Sequence, residues 1–350
     1  MTEQSVLSID AMGGDAAPGI VVEGLRVFAE QNSDISFLLH GDERALVSLP
    51  GLNGSLRDRC DIRHTDLQVN MDDKPSQALR KARGSSMWNA IECVKTGEAH
   101  AAVSAGNTGA LMAMSIMLLR KMGGVHRPGM TALWPTMAGT SVVLDVGANL
   151  EADAAQLVTF AVMGEAYARA VTGKAKPTIG LLNIGSEDSK GHGHVKDAAE
   201  ILASGALGLA YHGFVEGDDI STGTVDVVVT DGFSGNVALK TAEGTARLVA
   251  SYLRDAFSGD LRSKLGAGLA ASGLKKLRSK MNPSNVNGGV LLGLNGVVVK
   301  SHGGTDADGY ATAVKLAANL AVSRYKEEVA AGLSAVAELT DQRAPPKASA

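Results

Sequence analysis

The sequence predicts an α/β fold, a three-layer α/β/α sandwich around a mostly parallel sheet. Short apolar and β-branched runs alternate along the chain with longer stretches of helical spacing, which is the pattern of repeated strand–helix units. Glycine makes up 42 of the 350 residues, while aromatic residues make up 4%. So much glycine suits tight turns and close approaches of the backbone to a ligand.

The predicted strands are short apolar runs, typical of strands that are buried on both faces. They span residues 6–9, 35–39, 101–104, 142–146, 178–184, 225–230 and 297–300. Between them, apolar residues recur with the period of amphipathic helices. The predicted helices span residues 20–30, 86–95, 109–121, 152–170, 236–257 and 310–320.

The domain organisation follows from what lies between these elements. No segment rich in proline, serine or charge divides the chain, so we expect one large α/β domain over residues 1–340. A basic amphipathic helical hairpin is predicted within it at about 258–283, and residues 341–350 are predicted to form a flexible tail.

Composition and charge narrow the function classes. A net charge of -4 gives no overall attraction to nucleic acid. The two cysteines, Cys60 and Cys93, are too few for a disulfide scaffold and fit a reducing compartment. The first residues lack a basic region, so no secretory signal is predicted. The apolar run 109–119 is far shorter than the ~20 residues needed to cross a bilayer. We therefore expect a cytosolic or membrane-surface protein.

Strand ends carry the candidate site. In open α/β sheets, ligands bind beyond the carboxyl ends of the strands, and six predicted strands end in glycine, small polar residues and a carboxylate or amide. Six such loops predict one polar site. The loop 104–109 opens a helix, so its N–H groups suit an anion, although a helix cap is the alternative. The residues predicted to bind substrate or phosphate are Asp10, Gly13, Gly14, Asp15, Ser104, Gly106, Asn107, Thr108, Gly109, Asn183, Glu187, Asp231 and Ser234.

Standard nucleotide and hydrolase signatures are absent from the sequence. It contains no G-x-x-x-x-G-K-[ST] motif and no G-x-S-x-G motif. Lys190 is either a point charge for an anionic substrate, with Glu187 beside it, or a plain surface lysine. His302 follows a predicted strand, where it either donates a proton to an oxyanion or leaving group or caps a turn.

A basic segment covers residues 261–281, with six basic and no acidic residues. Leucines recur at helical spacing among the basic residues. The segment either packs on its own core or a dimer mate, or contacts anionic lipid headgroups or an acidic protein. The candidate contact residues are Leu261, Arg262, Lys264, Leu265, Leu269, Leu274, Lys275, Lys276, Leu277, Arg278 and Lys280.

Seven ordered motifs give the chain a resemblance to the PlsX family of bacterial phosphate acyltransferases along nearly its whole length. They are Ile9-Asp-Ala-Met-Gly-Gly-Asp15, Arg83-Gly-Ser-Ser-Met87, Val103-Ser-Ala-Gly-Asn-Thr-Gly-Ala-Leu111, Val143-Leu-Asp-Val-Gly-Ala-Asn149, Leu181-Leu-Asn-Ile-Gly-Ser-Glu187 with Lys190-Gly191, Asp231-Gly-Phe-Ser-Gly-Asn-Val-Ala-Leu-Lys240 and Asn295-Gly-Val-Val-Val-Lys-Ser-His-Gly303.

The resemblance implies reversible transfer of a fatty acyl group from acyl-acyl-carrier-protein to inorganic phosphate, which gives acyl phosphate for phospholipid synthesis. It also implies a homodimer with a fold like that of isocitrate and isopropylmalate dehydrogenases. The implied location is cytoplasmic, at the inner face of the membrane. The expected partners there are acyl carrier protein, the anionic membrane surface and a membrane glycerol-3-phosphate acyltransferase of the PlsY type. No metal or other cofactor, and no nucleic acid, is implied.

Three catalytic residues, Lys190, Asn236 and His302, are predicted from the residues themselves, since the resemblance does not fix their roles. Phosphate attacks the thioester directly in our hypothesis, with Lys190 and the N–H groups of residues 106–109 holding phosphate, and Asn236 or His302 stabilising the oxyanion. The alternative is a covalent acyl-enzyme on Ser104 or Ser234. Two rival functions remain: an NAD-dependent decarboxylating dehydrogenase, and a non-enzymatic membrane scaffold for lipid-synthesis partners.

Overall fold

Eleven strands form one mixed sheet in the computed structural model, which describes residues 5–259, 261–281 and 283–343. The order across the sheet is β3-β2-β1-β4-β11-β10-β5-β6-β9-β7-β8. The strands are β1 (Ser5–Asp10), β2 (Ile35–Gly41), β3 (Cys60–His64), β4 (Ala101–Ser104), β5 (Gly129–Thr136), β6 (Gly139–Leu144), β7 (Thr178–Leu182), β8 (Ala210–Val215), β9 (Val227–Val229), β10 (Gly289–Leu292) and β11 (Val297–Lys300).

The sheet contains two parallel blocks that run in opposite directions. Strands β3, β2, β1, β4 and β11 are mutually parallel, as are β6, β9, β7 and β8. Between the blocks, β10 pairs antiparallel with β11 and β5, and β5 pairs antiparallel with β6. The carboxyl ends of the two blocks therefore lie at opposite edges of the sheet.

Helices cover both faces of the sheet, which confirms the predicted α/β fold with a mostly parallel sheet. The helices are α1 (Gly19–Ala29), α2 (Glu43–Val47), α3 (Gly54–Asp58), α4 (Pro75–Lys81), α5 (Ser86–Thr96), α6 (Thr108–Leu119), α7 (Ala154–Thr172), α8 (Gly193–Ala203), α9 (Gly217–Thr222), α10 (Gly232–Ser258), α11 (Leu261–Leu269), α12 (Ala271–Met281), α13 (Ala307–Val322) and α14 (Tyr325–Arg343), with a 3₁₀ turn at Pro283–Val286.

Alternation along the strands builds two cores, one on each face. In β11, Val297 and Val299 join the core beneath α1, α7 and α13, while Val298 joins the core beneath α5 and α6. All three valines are buried. This strand reads as a continuous apolar run because both of its faces are covered.

Helix ends follow local rules of the sequence. Ser85 and Asp153 accept hydrogen bonds from N–H groups in the first turns of α5 and α7, as N-cap residues do. Gly97 and Gly173 end the same two helices with φ of 82° and 73°, a left-handed conformation that glycine adopts without a steric penalty.

The predicted elements all occur in the structure. The bounds of β4 and β11 agree with the prediction, and the other predicted strands and helices differ from it by a few residues at their ends. The structure adds strands β3, β5, β8 and β10 and helices α2, α3, α4, α8, α9 and α14, which the sequence patterns did not predict. Of the predicted tail, residues 341–343 belong to α14, and the rest lies outside the described residues.

The predicted basic hairpin is the helix pair α11 and α12, which follows the long helix α10. Leu265 and Leu269 are 64% and 91% exposed, so neither packs on a core within this chain. Arg262, Lys264 and Lys275 are exposed as well. The side chains of Leu261, Lys276, Arg278 and Lys280 lie outside the part that the structure describes. No helix in the described ranges is both long enough and apolar enough to cross a membrane.

Candidate active site

The six predicted site loops fall into two groups. The first loop cluster comprises residues 10–15, 104–109 and 300–304, which follow the adjacent parallel strands β1, β4 and β11. The second loop cluster comprises residues 145–149, 183–191 and 231–236, which follow the adjacent parallel strands β6, β7 and β9. The two clusters lie at the carboxyl ends of oppositely directed strands, because the pairing of β5 with β10 and β6 reverses the strand direction between them.

Glycines allow the backbones of the first loop cluster to pack closely against each other. A Cβ atom on Gly13 would lie 2.7 Å from the backbone nitrogen of Gly106, and one on Gly106 would lie 2.6 Å from Cε of Met87. Gly14 has a φ of 115°. These glycines bring the loops after β1 and β4 into direct contact, and larger residues would force them apart.

Asp10 organises this cluster from inside. Its carboxylate is buried and accepts a hydrogen bond of 2.6 Å from Ser104 Oγ, which in turn accepts one of 3.0 Å from the N–H of Gly106. Burial raises the pKa of the Asp10 carboxyl, although hydroxyl donors, first that of Ser104, stabilise its charged form. Asp10 and Ser104 thus hold the loops and do not face solvent.

Lys300 supplies a buried positive charge to the same cluster. Its ammonium donates hydrogen bonds to the carbonyl oxygens of Ala105, at 3.2 Å, and Ser301. Burial lowers the pKa of Lys300 to about 8, and the carboxylates of Asp10 and Asp15 oppose this shift. The side chain therefore ties the loop after β11 to the loop after β4.

Asn107, predicted to bind substrate or phosphate, has structural partners on both sides of its amide. The side-chain oxygen accepts from the N–H of Ala110 and caps α6, and the nitrogen donates to the carbonyl oxygens of Met71 (2.7 Å) and Asp73 (2.9 Å). The adjacent N–H groups of Thr108 and Gly109 open α6 and so have no partner within the helix. They remain able to bind an anion.

His302 lies at the rim of the first loop cluster. Its backbone N–H donates to Asn287 Oδ1 at 3.0 Å, and the Asn287 side chain also donates to Ser301 Oγ. Partial burial, together with the charges of Lys240 and Lys300, lowers the pKa of His302. The neutral imidazole is consequently favoured near pH 7.

Asp145 is the centre of the second loop cluster. Its fully buried carboxylate accepts five hydrogen bonds, from the N–H groups of Met130, Gly147 and Ala148 and from the backbone and side-chain nitrogens of Asn149, at 2.8–3.1 Å. The first turn of α10 packs directly on this loop, since a Cβ atom on Gly232 would lie 2.8 Å from Asp145 Oδ2.

Asp231 and Ser234, predicted to bind substrate, bond to each other. Asp231 accepts from the N–H of Ser234 at 2.6 Å and from its hydroxyl at 3.2 Å, and so caps α10. The side chain of Asn236 is exposed and has no hydrogen-bond partner among the described residues. It lies next to Gly147, where an added Cβ atom would be 3.6 Å from Asn236 Cβ. Its amide is available to a ligand.

Lys190 is exposed and paired. Its ammonium lies 2.8 Å from Glu187 Oε2, and this ion pair raises the pKa of Lys190 and lowers that of Glu187. The Asn183 side chain donates to the carbonyl oxygens of Gly185 and Lys190, both at 3.2 Å, and holds the loop closed. A phosphate that binds Lys190 therefore meets an ammonium that is already paired with Glu187.

Helix α10 joins the two clusters. It begins in the second loop cluster at Gly232, and the charge of its Lys240 acts on both Lys300 and His302 of the first. Eight residues of α-helix rise ~12 Å. Asn236 lies one turn before Lys240 on α10. Of the predicted catalytic residues, Lys190 and Asn236 belong to the second loop cluster, and His302 belongs to the first.

Sequence reasoning missed the buried groups Asp145 and Lys300, and the exposed Lys240, as site residues. Each stands within a motif quoted above, but its burial or its neighbours depend on the tertiary fold. Among the described residues, no group of three or more His, Cys, Asp or Glu could hold a metal ion.

We predict that Lys300 makes stability depend on alkaline pH. An unfolded lysine keeps a pKa of about 10.4, so between about 8 and this value the unfolded chain binds more protons, and stability rises with pH. Between pH 7.5 and 9.5, this effect should raise the free energy of unfolding of the unmodified protein by about 1 kcal/mol or more. The variant Lys300→Met should lack this rise. Urea unfolding at both pH values measures it.

The exposed Lys315 of α13 provides the control. Lys315→Met should keep the pH response of the unmodified protein. Equal pH responses of Lys300→Met and the unmodified protein would contradict the buried charge.

Known proteins resemble the chain over nearly its whole length. The chain is 53% identical over 345 residues to a phosphate acyltransferase of Maricaulis maris, covering 98% of each chain. It is 53% identical over 329 residues to a phosphate acyltransferase of Caulobacter vibrioides, covering 94% of this chain and 91% of the relative.

Solved structures with low sequence identity share the fold. A phosphotransacetylase from Streptococcus pyogenes matches with a TM-score of 0.60 at 16% identity, covering 92% of this chain and 95% of that one. A 4-hydroxythreonine-4-phosphate dehydrogenase from Klebsiella pneumoniae matches with a TM-score of 0.55 at 13% identity, covering 91% and 100%. Residues 5–327 match the family described as "Fatty acid synthesis protein". The chain belongs to this family, together with the phosphate acyltransferases that it resembles over nearly its whole length.

Proposed function

We propose that the protein reversibly transfers a fatty acyl group from acyl-acyl-carrier-protein to inorganic phosphate, and that the acyl phosphate serves phospholipid synthesis. The 53% identity to a phosphate acyltransferase over 98% of both chains carries this proposal. The two loop clusters support it, since they present N–H groups without a partner inside helix α6 and an exposed lysine to anions.

The chemistry needs little acid–base catalysis. An oxygen of phosphate attacks the thioester carbon, the new C–O bond forms, the C–S bond breaks, and the sulfur leaves as a thiolate that later takes a proton from water. Phosphate is already anionic at neutral pH, and a thiol pKa of ~8.5 makes the thiolate a competent leaving group. Positioning and charge stabilisation then provide most of the rate enhancement.

Residue roles follow from which groups are free. Lys190 binds phosphate in place of Glu187, and the exposed amide of Asn236, in the same cluster, donates to the developing oxyanion. His302 belongs to the first loop cluster, from which it would face the thioester. The N–H groups of residues 106–109 lie in that cluster too, which separates them from Lys190.

Direct attack is favoured over a covalent acyl-enzyme. Ser104 is buried between Asp10 and Gly106, and Ser234 is bonded to Asp231, so neither hydroxyl is free to attack a thioester. The carboxylate partner of each serine is already occupied by hydrogen bonds that hold its loop.

The finer assignments belong to the same proposal. The fold is of the isocitrate and isopropylmalate dehydrogenase type, and the protein is a homodimer in the cytoplasm. Along α10, Val237, Leu248 and Tyr252 are 50%, 51% and 65% exposed, which suits a face that packs on a second copy. Sedimentation equilibrium measures whether the protein is a dimer in solution.

The exposed hairpin leucines and lysines suit the anionic inner face of the membrane, where a PlsY-type acyltransferase would consume the product.

The function predicts a definite product. Incubation of acyl-acyl-carrier-protein with phosphate should release free carrier thiol and form an equal amount of hydroxylamine-trappable acyl phosphate. Both products are measured, and the blank is the same reaction in a buffer that contains neither phosphate nor arsenate. Absence of both products, or an absorbance change with nicotinamide cofactors, would contradict the proposal.

The role of Lys190 predicts a phosphate-specific defect. Lys190→Ala should raise KM for phosphate several-fold, because the variant loses a charged hydrogen-bond donor to the anion, while KM for the acyl donor changes little. Steady-state kinetics measure both constants. Lys196→Ala on α8 is the control, because Lys196 has no ion pair among the described residues. An unchanged phosphate KM for Lys190→Ala would remove this role.

If the hairpin contacts the membrane, a charge placed in the hairpin should impair binding to vesicles, and a charge placed elsewhere should not. Leu265→Glu should abolish flotation with vesicles that contain anionic lipid, because it puts a charge into the apolar face. Val322→Glu, at a position 72% exposed on α13, should float like the unmodified protein. Equal flotation of the two variants would show that the hairpin is not the contact.

A further inference from the structure

A cationic surface beside the first loop cluster has no role so far. We call it the α4 surface: Lys74, Arg80, Lys81, Arg83 and Leu67, at or next to helix α4. All five side chains are exposed, with Leu67 at 52%. Within the described ranges, none of the four cations forms an ion pair or a side-chain hydrogen bond. Residues 79–84 contain no acid, and the nearest acids in sequence are Asp73 and Glu92.

A groove runs along this surface. Its volume is about 400 Å³, and it lies between the segment 68–73 and α4. Val69 and Ala78 are its buried apolar residues, and its other lining residues are polar or charged, namely Arg80, Lys81, Asp73, Gln68, Asn70 and Gln77. Apolar residues beside two cations and one carboxylate fit a segment that presents both apolar and acidic side chains.

The α4 surface has a fixed position next to the candidate active site. The Asn107 amide holds the carbonyl oxygens of Met71 and Asp73. A Cβ atom on Gly109 would lie 2.6 Å from Pro75 Cγ, and one on Gly303 would lie 2.8 Å from Met71 Cε. The segment before α4 therefore covers the loops that follow β4 and β11.

We propose that the α4 surface is the docking site for acyl carrier protein, an acidic partner whose carboxylates meet Arg80, Lys81 and Arg83. This rests on the proposed function. A carrier docked there delivers its acyl thioester past the segment 70–75 into the first loop cluster. The second loop cluster, ~12 Å further along α10, lies within reach of an extended pantetheine arm.

The basic hairpin is less well placed for this partner. From Lys240 at the first loop cluster to Ser258 at the end of α10 are 18 residues, a rise of ~27 Å. The end of α10, from which the hairpin continues, therefore lies about that far along the helix from Lys240. Residues 71–75, which lead into and begin α4, instead contact the first loop cluster directly.

The test uses three variants, each with two charge-reversing substitutions, and compares two acyl donors for each variant. Arg80→Glu with Lys81→Glu changes the α4 surface, and Lys264→Glu with Lys275→Glu changes the hairpin. Arg44→Glu with Lys315→Glu is a control of equal charge change at two exposed cations without ion pairs in the described residues. Each variant is assayed with acyl-acyl-carrier-protein and with acyl-pantetheine, and its thermal unfolding is measured.

The α4 variant should lower the ratio of kcat/KM for the carrier donor to kcat/KM for acyl-pantetheine about tenfold, and added salt should lower this ratio in the unmodified protein. The control should keep the ratio. An unchanged ratio in the α4 variant, or a fall in the hairpin variant alone, would overturn the proposal. Turnover of both donors by the unmodified protein tests the proposed function separately.

Discussion

A buried carboxylate that must find hydrogen-bond donors underlies the architecture of the second loop cluster. Asp145 has no contact with solvent, and an unpaired charge there would cost several kcal/mol. Five nitrogen donors satisfy it, and four of them come from its own loop. The loop must therefore wrap around the carboxylate, which leaves a surface on which the glycines of α10 can pack. The position of α10, and with it of Asn236 and Lys240, depends on this arrangement.

The first loop cluster solves a similar problem with both signs of charge. Asp10 and Lys300 are both buried at strand ends, and each is bonded mainly to neighbouring loops rather than to the other. Because their hydrogen bonds join three loops, the cluster is rigid before any ligand arrives. Preorganised N–H groups and charges of this kind stabilise a developing charge without reorganisation.

Local patterns predicted much of the fold but not its strand directions. Strand β11 is a continuous apolar run and was predicted with its correct bounds, whereas β5 contains Pro135 and β8 contains His212, which interrupt the pattern. An apolar run is the same whether its neighbours are parallel or antiparallel, so the reversal at β5 and β10 could not be predicted. Likewise, Asp10 and Asn107 stand at strand exits as ligands would, and only tertiary contacts show that their side chains are already occupied.

The ion pair between Glu187 and Lys190 has a consequence for selectivity on the proposed function. An empty site with a free lysine would attract every anion in the cell, chloride included. With a tethered carboxylate 2.8 Å from the ammonium, an incoming anion must compete with a partner at high effective concentration. A dianion with several acceptor oxygens competes better with that partner than a singly charged ion does. The glutamate thus acts as an internal competitor that sets a threshold for entry.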